Sequence, residues 1–428
     1  MKSALCLIIT LLLFPTASFA DPSYTEVTAQ GNRQVYLAIA PVKNLGGTPN
    51  ETIAREIGDI LKFDLNLAGP FSILTGSANE ASSGIRPGEF DFAPWRSIGA
   101  AFLIKSGYAI TGNSITLEFR MYDVLNGKSL DSKRYTGVLK DLRKMTHTFS
   151  DETLFVITGE KGPFTGKITY VSPLSGNKEI FVMDYDGYNV QKITNNGTIN
   201  INPDFSPNGR EIIYTSYKKG NPDLYRREIT TGVEARISSR QGANITGAWS
   251  PDGSRIALAM SKDGNSEIYI IGKNGNELAR LTHHEAIDIS PSWSPDGSHI
   301  AFVSDRLGSP QIFIMDSNGS NLRRLTYDGK YNVNPDWSPK GDRILYSRQE
   351  AGGFQIYTIS PDGTGNTQLT TDGRNENPHW SPDGRFITFS ANPAGGEAIY
   401  VMRADGTGKT RVSRNGSRDM QPAWSNHL

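Results

Sequence analysis

The sequence predicts an α/β domain followed by a six-bladed β-propeller whose C-terminal strand closes the first blade. Three observations lead to this prediction. A tryptophan or phenylalanine in a WSPDG-like setting recurs every 43 or 44 residues, a second aromatic landmark keeps the same period, and the first 160 or so residues lack the period. A period in the 40s that contains turn signals is typical of propeller blades of about four strands.

The two landmarks stay in phase along the chain. The first falls at Phe205, Trp249, Trp293, Trp337, Trp380 and Trp424, and the second at Phe181, Tyr225, Tyr269, Phe313, Tyr357 and Tyr400. Each period is predicted to contain strand A around the first landmark, an SPDG turn, strand B, a longer loop, strand C, a DG or NG turn, and strand D. We expect the tryptophans to pack between blades, with sugar-stacking platforms as the alternative.

The two ends of the repeat array complete each other. Residues 167–172 match strand B with no WSPDG motif before them, and residues 421–425 match strand A with no strand B after them. Pairing these segments in one blade leaves no open sheet edge at the join. We therefore expect the propeller to occupy residues 163–428 and to be closed by its last strand.

The region before the repeats is predicted to be a separate α/β domain over residues 34–162 with one mixed sheet. Apolar residues recur at helical spacing in 51–65, and Gly69-Pro70 ends that helix. The expected elements are a strand at 34–40, the helix at 51–65, a strand at 71–74, a short helix at 95–100, a strand at 101–104, a hairpin of 115–124 and 128–136, and a helix at 142–158.

Residues 1–20 have the organisation of a signal peptide, with Lys2 before an apolar stretch and Ser18-Phe19-Ala20 as the cleavage site. We therefore expect a periplasmic protein that begins near Asp21, with residues 21–33 as a flexible segment. The single cysteine, Cys6, lies within the signal, so no disulfide is expected. The 44 basic and 44 acidic side chains balance, which argues against nucleic-acid binding. No membrane span follows the signal, and a monomer is expected.

No catalytic motif is present. The chain lacks a G-x-S-x-G elbow, a P-loop and an HExxH motif, and so we expect no catalytic residue, no cofactor and no metal. His283-His284-Glu285 with Asp288 is the best metal candidate, but adjacent histidines in a strand point to opposite faces, which favours an exposed interblade loop. Residues 184–189 resemble a calcium loop, but the glycine comes too early for an EF-hand and a hairpin turn is favoured.

A binding scaffold is the remaining interpretation. In a propeller, the D-to-A and B-to-C loops gather on one face around the channel. Here the D-to-A loops vary while the turns on the other face repeat, and variation on a fixed scaffold is where specificity resides. Solvated loops are the alternative for any one of them. A glycan-binding protein and a lyase or glycosidase also stay open; the enzyme would need Arg374, Glu376, His284 and Arg418 to converge on the channel.

The whole chain resembles the TolB family of the Tol-Pal cell-envelope system. The resemblance rests on AIAPV at residues 38–42, the linker-helix segment HTFSDE at 147–152, TGEKGPF at 158–164, and blade repeats that end in PAWS at 422–425. The HTFSDE and TGEKGPF segments lie just before the first blade, and they make the match more specific than the WSPDG motif alone. The sequence departs from the family pattern at Gly247, Asn208, Lys340 and Asn426, which are scaffold positions.

The resemblance implies a protein that binds the peptidoglycan-associated lipoprotein Pal at the channel mouth and the C-terminal domain of TolA through its N-terminal segment, supporting outer-membrane integrity and cell division. Other envelope lipoproteins and bacteriocins stay open as partners. The implied Pal contacts are Asn200, Ala243, Asn244, Thr246, His284, Glu285, Ile289, Tyr331, Asn332, Arg374, Asn375, Arg418 and Asp419. The implied TolA contacts are Tyr24, Glu26, Thr28 and Gln30. His147 and Asp151 are candidates for communication between the domains, with a helix cap and a packing hydrogen bond as the alternative.

Overall fold

The computed structural model describes residues 35–75, 84–393, 396–414, 416 and 418–426. The signal peptide, the segment 21–33 and its predicted contacts Tyr24, Glu26, Thr28 and Gln30 lie outside the described residues. Among the described residues, no helix combines the length and the apolar character needed to cross a membrane.

The first domain packs helices against one mixed sheet, as predicted. Its elements in the described residues are β1 (Val35–Ile39), β2 (Lys43–Gly46), α1 (Glu51–Ala68), β3 (Phe71–Thr75), α2 (Ala93–Ser97), β4 (Phe102–Thr111), β5 (Ser114–Asp123), β6 (Lys128–Val138) and α3 (Leu142–Thr158). The sheet order is β3-β1-β4-β5-β6, with β2 paired to β4. β1 runs parallel to β3 and β4, whereas β4, β5 and β6 are antiparallel.

Helix α1 shows how the sequence sets these elements. The side chain of Asn50 accepts hydrogen bonds from the backbone N–H groups of Thr52 and Ile53, which caps the first turn. The helix buries a stripe of isoleucine and leucine side chains against the sheet, and it ends at Gly69, whose φ of 96° a side chain would disfavour. Pro70 follows and prevents continuation.

Six four-stranded antiparallel sheets form the propeller, which confirms the predicted fold class. The A strands are β10 (Asn200–Phe205), β14 (Asn244–Trp249), β18 (Asp288–Trp293), β22 (Asn332–Trp337), β26 (Asn375–Trp380) and β30 (Met420–Trp424). The B strands are β7 (Lys167–Ser172), β11 (Glu211–Ser216), β15 (Arg255–Met260), β19 (His299–Ser304), β23 (Ile344–Glu350) and β27 (Phe386–Ala391). The C strands are β8 (Glu179–Asp184), β12 (Asp223–Glu228), β16 (Glu267–Gly272), β20 (Gln311–Asp316), β24 (Gly353–Ile359) and β28 (Ala398–Arg403). The D strands are β9 (Gln191–Lys192), β13 (Glu234–Ser238), β17 (Glu277–Arg280), β21 (Arg323–Arg324), β25 (Thr367–Gln368) and β29 (Thr410–Arg411).

We number the blades from the sheet that begins with β10, so that blade 6 is the composite sheet β30-β7-β8-β9. β30 pairs antiparallel with β7, with Trp424 opposite Ile168, which confirms the predicted closure. The A strands contact one another around a closed ring from β10 to β30. The five blade tryptophans are buried, which confirms that they pack between blades.

The α/β domain packs on one face of the ring. Its contacts on the propeller come from the A-to-B and C-to-D turns: Arg385 pairs with Glu160, Arg403 donates to the carbonyl of Asn66, and Tyr185 lies in a shared core. The opposite face, formed by the D-to-A and B-to-C loops, carries none of these contacts. We call that opposite face the mouth face.

Candidate functional site

Every A strand carries the same backbone bulge where it enters the channel. One residue near its start, the third in five of the strands and the second in β30, has a positive φ of 52° to 54°. The register with strand B shifts at this point in all six blades. A residue with a side chain costs about 1–2 kcal/mol in this left-handed conformation. The residues are Asn202, Thr246, Ser290, Asn334, Asn377 and Gln421. Asparagine tolerates the conformation best, and it fills three of the positions.

The bulge turns these six side chains into the channel, where all of them line a cavity of about 140 Å³. We call them the mouth ring. Two hydrogen bonds run around the ring between adjacent blades: the N–H of Asn202 donates to Oε1 of Gln421 at 3.1 Å, and the N–H of Ser290 donates to Oγ1 of Thr246 at 3.2 Å. The mouth ring is therefore a polar collar, and two of its side chains accept hydrogen bonds from the backbone of the adjacent blade.

Two residues further along the A strands, a charged group narrows the channel. His379 lies between two carboxylates from other blades, with Nε2 at 3.7 Å from Asp204 Oδ1 and Nδ1 at 3.9 Å from Asp336 Oδ2. Burial disfavours its charge, but Asp336 and Asp204 outweigh burial and raise the pKa of His379 to about 9. These three residues line both the mouth cavity and the cavity behind it, so they form the constriction between them.

The constriction lacks the partner that nucleophilic catalysis requires. In the described residues, Nδ1 of the charged His379 ring donates to the carbonyl of Trp380 at 2.9 Å, and the backbone nitrogen of Trp424 lies 3.3 Å from the same atom. A histidine base in acyl transfer instead holds a hydroxyl or thiol within hydrogen-bond distance. The arrangement can hold charge in the channel and recognise a polar group, and it provides no activated nucleophile.

The predicted partner contacts divide into two sets. Eight of them have side chains that are exposed or half-buried on or beside the mouth face: Ala243, Thr246, His284, Glu285, Ile289, Tyr331, Arg374 and Arg418. The other five are fully buried at the starts of the A strands: Asn200, Asn244, Asn332, Asn375 and Asp419. The buried set holds the D-to-A loops in place, because a fully buried side chain does not reach a partner surface.

Sequence reasoning missed most of the mouth ring, the constriction and, apart from Tyr331, a set of exposed apolar side chains. The mouth ring had a signal, since its residue precedes proline in five of the six repeats, but only Thr246 was singled out. The apolar set lies in the D-to-A and B-to-C loops, and its members are 38–74% exposed. They are Leu174, Ile199, Ile287, Leu307, Tyr327 and Tyr331. We call them the apolar rim.

The groups suggested for a lyase or glycosidase do not converge. Arg374 pairs with Glu376, and His284 lines a separate surface hollow with Asn265 and Arg280. None of the four suggested residues lines the channel cavity. In the residues that the structure describes, no group of three metal-ligating side chains is found, and Nδ1 of His284 accepts the N–H of Ala286 at 3.0 Å.

The second predicted site lies between the domains, where His147 of α3 is buried. Its Nδ1 is 2.8 Å from Asp64 Oδ2 on α1, and its Nε2 is 3.4 Å from Asp186 Oδ2 in the C-to-D turn of blade 6. Tyr185 donates to the other oxygen of Asp64, and Arg143 donates to Asp186. Burial disfavours a charged imidazole, but the two carboxylates outweigh it and raise the pKa of His147 to about 10.

Asp151 lies on the same helix and holds the segment that joins the domains. Its Oδ1 accepts the N–H of Phe164 at 2.9 Å, and its Oδ2 accepts the hydroxyl of Thr165 at 3.3 Å. Burial raises the pKa of Asp151 to about 8 despite these hydrogen bonds. Both predicted interdomain residues are therefore packed at the domain interface.

Comparison with known proteins shows which protein families and relatives the chain is similar to. The family model described as the TolB beta propeller domain matches residues 155–428, and the model of the TolB amino-terminal domain matches residues 23–130. A Geobacter sulfurreducens protein named "Tol-Pal system protein TolB" is 58% identical over 210 residues, which are 49% of each chain. A Geobacter metallireducens protein of the same name is 59% identical over 204 residues, 48% of each chain. The matched segment thus spans about half the length of this chain and about half the length of each of these relatives.

A solved structure supports the fold over nearly the whole chain. The crystal structure of TolB from Acinetobacter baumannii has a TM-score of 0.80 and covers 92% of this chain and 96% of its own. The sequence identity is 24%, so this match supports the fold alone.

Proposed function

The chain belongs to the TolB family, and on that premise we propose that it is a periplasmic binding scaffold of the Tol-Pal system and performs no catalysis. Its mouth face binds the lipoprotein Pal, and its N-terminal segment binds TolA. The names of the curated relatives support membership of the Tol-Pal system, and the signal-like residues 1–20 support export to the periplasm.

The observation that carries the proposal is that the mouth face combines the apolar rim with the cavity lined by the mouth ring. Single exposed apolar side chains, such as Val233, also occur on the other face. One face is covered in part by the α/β domain, while the mouth face presents the apolar rim around a polar collar. Large apolar side chains that are grouped on one exposed surface often mark a protein interaction site. Tyrosine and arginine are enriched among residues that dominate binding energy, and Tyr331 and Arg374 lie on adjacent mouth-face loops.

The channel mouth adds specificity to this surface. A partner loop that covers the mouth ring meets amide and hydroxyl groups whose backbone positions are fixed by the bulges. Preorganised polar groups lose little conformational entropy on binding. In this proposal the apolar rim supplies affinity and the mouth ring supplies orientation.

The TolA contact is proposed for the segment 21–33, which lies outside the described residues. Its support is the family resemblance and its polar composition, which suits a segment that orders on a partner. His147 and Asp151 are proposed to couple that segment to the mouth face, since they connect the α/β domain to blade 6 and to the join at Phe164.

Calorimetric titration of the mature protein with the soluble domain of Pal tests the proposal. We expect saturable binding, weakened about 5- to 30-fold by Ile287→Ser or Tyr331→Ala, because truncating a central interface residue typically costs about 1–2 kcal/mol. Val233→Ser is the matched control, since Val233 is 69% exposed in a C-to-D turn on the other face. Absence of binding by the folded protein, or equal weakening by the control, would contradict the proposal.

A further inference from the structure

Equivalent buried trios lie beneath the D-to-A loops of the six blade junctions; five are wholly polar, and in the sixth an alanine takes one of the three places. One residue lies near the start of strand C, a second follows or ends strand D, and the third lies at the start of strand A of the next blade. The trios, all of them buried, are Glu179/Thr194/Asn200, Asp223/Ser238/Asn244, Glu267/Thr282/Asp288, Gln311/Thr326/Asn332, Gln355/Thr370/Asn375 and Ala398/Ser413/Asp419. We call each trio a junction clasp.

An asparagine amide closes the clasp at three of the junctions. Nδ2 of Asn200 donates to Glu179 Oε2 at 2.9 Å, Nδ2 of Asn332 donates to Gln311 Oε1 at 2.7 Å, and Nδ2 of Asn375 donates to Gln355 Oε1 at 2.9 Å. The amide hydrogen is what joins strand C of one blade to strand A of the next.

The junction between blades 2 and 3 lacks that hydrogen, because Asp288 stands opposite Glu267 where four other junctions have asparagine. The remaining junction also has an aspartate, Asp419, but Ala398 takes the place of the strand-C carboxyl or amide there. One oxygen of each carboxylate is satisfied: Glu267 Oε1 accepts from Arg280 at 3.0 Å and from the N–H of His284 at 2.8 Å, and Asp288 Oδ2 accepts from Arg306 at 2.8 Å. The other two oxygens, Glu267 Oε2 and Asp288 Oδ1, are buried and accept no hydrogen bond of regular geometry among the described residues, although the hydroxyls of Thr282 and Ser304 lie near enough to influence the two carboxylates.

A single proton would supply the missing hydrogen. Buried polar atoms without a partner are rare, and two carboxylates that share a site hold one proton more tightly than either alone. We propose that the Glu267/Asp288 clasp binds one proton and that this proton fixes the D-to-A loop at residues 283–287. The effect on partner binding rests on the proposed function, because His284 and Ile287 of this loop belong to the mouth face.

The charged side chains around the clasp pair with one oxygen of each carboxylate, so they do not supply a hydrogen between the other two oxygens. Arg280 reaches it from strand D and also faces Asp263 at 3.5 Å, and Arg306 reaches it from the B-to-C loop of blade 3. The loop above contains the exposed His283, His284 and Glu285, and the N–H of Ile287 donates to Asp305. Each arginine occupies one carboxylate oxygen and leaves the other free.

The direction of the titration follows from burial. Burial raises the pKa of Asp288, while hydrogen bonds from Thr282, His284 and Arg280 outweigh burial and lower the pKa of Glu267. The proton therefore belongs to Asp288. It is present at acidic pH and is lost as the pH rises through the raised pKa, after which two buried negative charges repel. The hydrogen bond between the N–H of His284 and Glu267 transmits the change to the loop.

Hydrogen exchange of the mature protein between pH 5 and pH 8 tests the clasp without a partner. We expect the protection factors of amides 283–287, corrected for intrinsic rates, to fall by up to about tenfold per pH unit until the pH passes the raised pKa of Asp288. Amides 328–331 of the Gln311/Asn332 junction are the internal control and should not change. Asp288→Asn should remove the fall, since its amide supplies a permanent hydrogen.

The reciprocal variant Asn200→Asp places a second carboxyl group opposite Glu179 and should make the loop of its own junction pH-sensitive. If that variant does not fold, Asp288→Asn still decides. Protection at 283–287 that is independent of pH in the wild type, or a fall that persists in Asp288→Asn, would overturn the proposal.

Titration with the soluble domain of Pal at pH 5.5 and pH 7.5 tests the consequence. Wild-type affinity should change by more between these pH values than the affinity of Asp288→Asn. An equal change in both proteins would overturn control of the binding loop by the clasp. Failure of both proteins to bind would count against the proposed function, while the exchange experiment still decides the clasp.

Discussion

His147 is the residue at which the two domains meet most directly. It bridges a carboxylate of the α/β domain and a carboxylate of the propeller, and all three side chains are buried. The charged imidazole is the group that pairs with both Asp64 and Asp186, while Tyr185 also donates to Asp64 and Arg143 to Asp186. Removing one partner of a buried ion pair leaves an uncompensated charge and costs about 3–5 kcal/mol.

We therefore expect His147→Ala to lower the free energy of unfolding by about 3–5 kcal/mol at neutral pH. The folded pKa of His147, about 10, lies above its ordinary value of about 6.5. The stabilisation is thus complete below about pH 6.5 and is lost as the pH rises through about 10. Urea unfolding of the variant and the wild type at pH 6 and at pH 10 measures the difference.

His299→Gln is the matched control, because the side chain of His299 is 45% exposed and faces a single carboxylate at 3.5 Å. That variant should change the free energy of unfolding by less than about 1 kcal/mol. A His147→Ala penalty that is the same at both pH values would show that the imidazole is not held charged between the carboxylates.

Sequence patterns located the D-to-A loops but not which of their side chains are exposed. An ideal strand alternates its side chains, so a residue two positions from an exposed one should also be exposed. The bulge in each A strand breaks this alternation, and burial follows the pattern buried, half-buried, half-buried, buried instead. Asn332 lies before the bulge and is buried because its amide donates to Gln311 Oε1 and to the carbonyl of Asp328, although the sequence placed it with Tyr331 at the surface.

The element scale is where the sequence was most informative, because each blade repeats the same turns and strands. Helices α1 and α3 begin at the predicted residues. Strand β4 extends from Phe102 to Thr111, whereas the sequence predicts an end at 104. The predicted strand stops there because the polar residues Lys105 and Ser106 interrupt the apolar run, yet both are buried. The ammonium of Lys105 lies 4.2 Å from the ring centre of Phe90, an interaction that no local pattern predicts.

Strand β30 is the element that closes the ring, and Trp424 is its anchor. Trp424 stacks on Tyr185 at 5.7 Å and on Phe386 at 6.2 Å, in a core that the two domains share. Loss of this strand opens blade 6 and exposes the edge of β7.

We expect deletion of residues 421–428 to lower the melting temperature of the whole molecule by several degrees in one cooperative transition. Trp424→Ala should give part of this effect, since truncating a buried tryptophan costs about 3–5 kcal/mol. Leu278→Ala, at a side chain that is 52% exposed, is the control for calorimetric melting. A shortened chain that melts at the full-length temperature would contradict closure by β30.

At the scale of the whole molecule, the propeller separates two tasks. The face formed by the A-to-B and C-to-D turns, which we call the turn face, packs on the α/β domain through a shared core and ion pairs. The mouth face presents loops, the apolar rim and the mouth ring. The repeat period and phase predicted this architecture, because blade number and closure depend on spacing alone. The constriction could not be predicted, since Asp204, Asp336 and His379 come together only when the ring closes.

The central claim is that the mouth face, and not the turn face, binds Pal. Hydrogen exchange of the mature protein with and without the soluble domain of Pal tests it most directly. The proposal predicts that Pal slows exchange in the D-to-A and B-to-C loops, including residues 283–287 and 327–331, and leaves the SPDG and DG turns unchanged. Slowed exchange in those turns without any change in the mouth-face loops would contradict it.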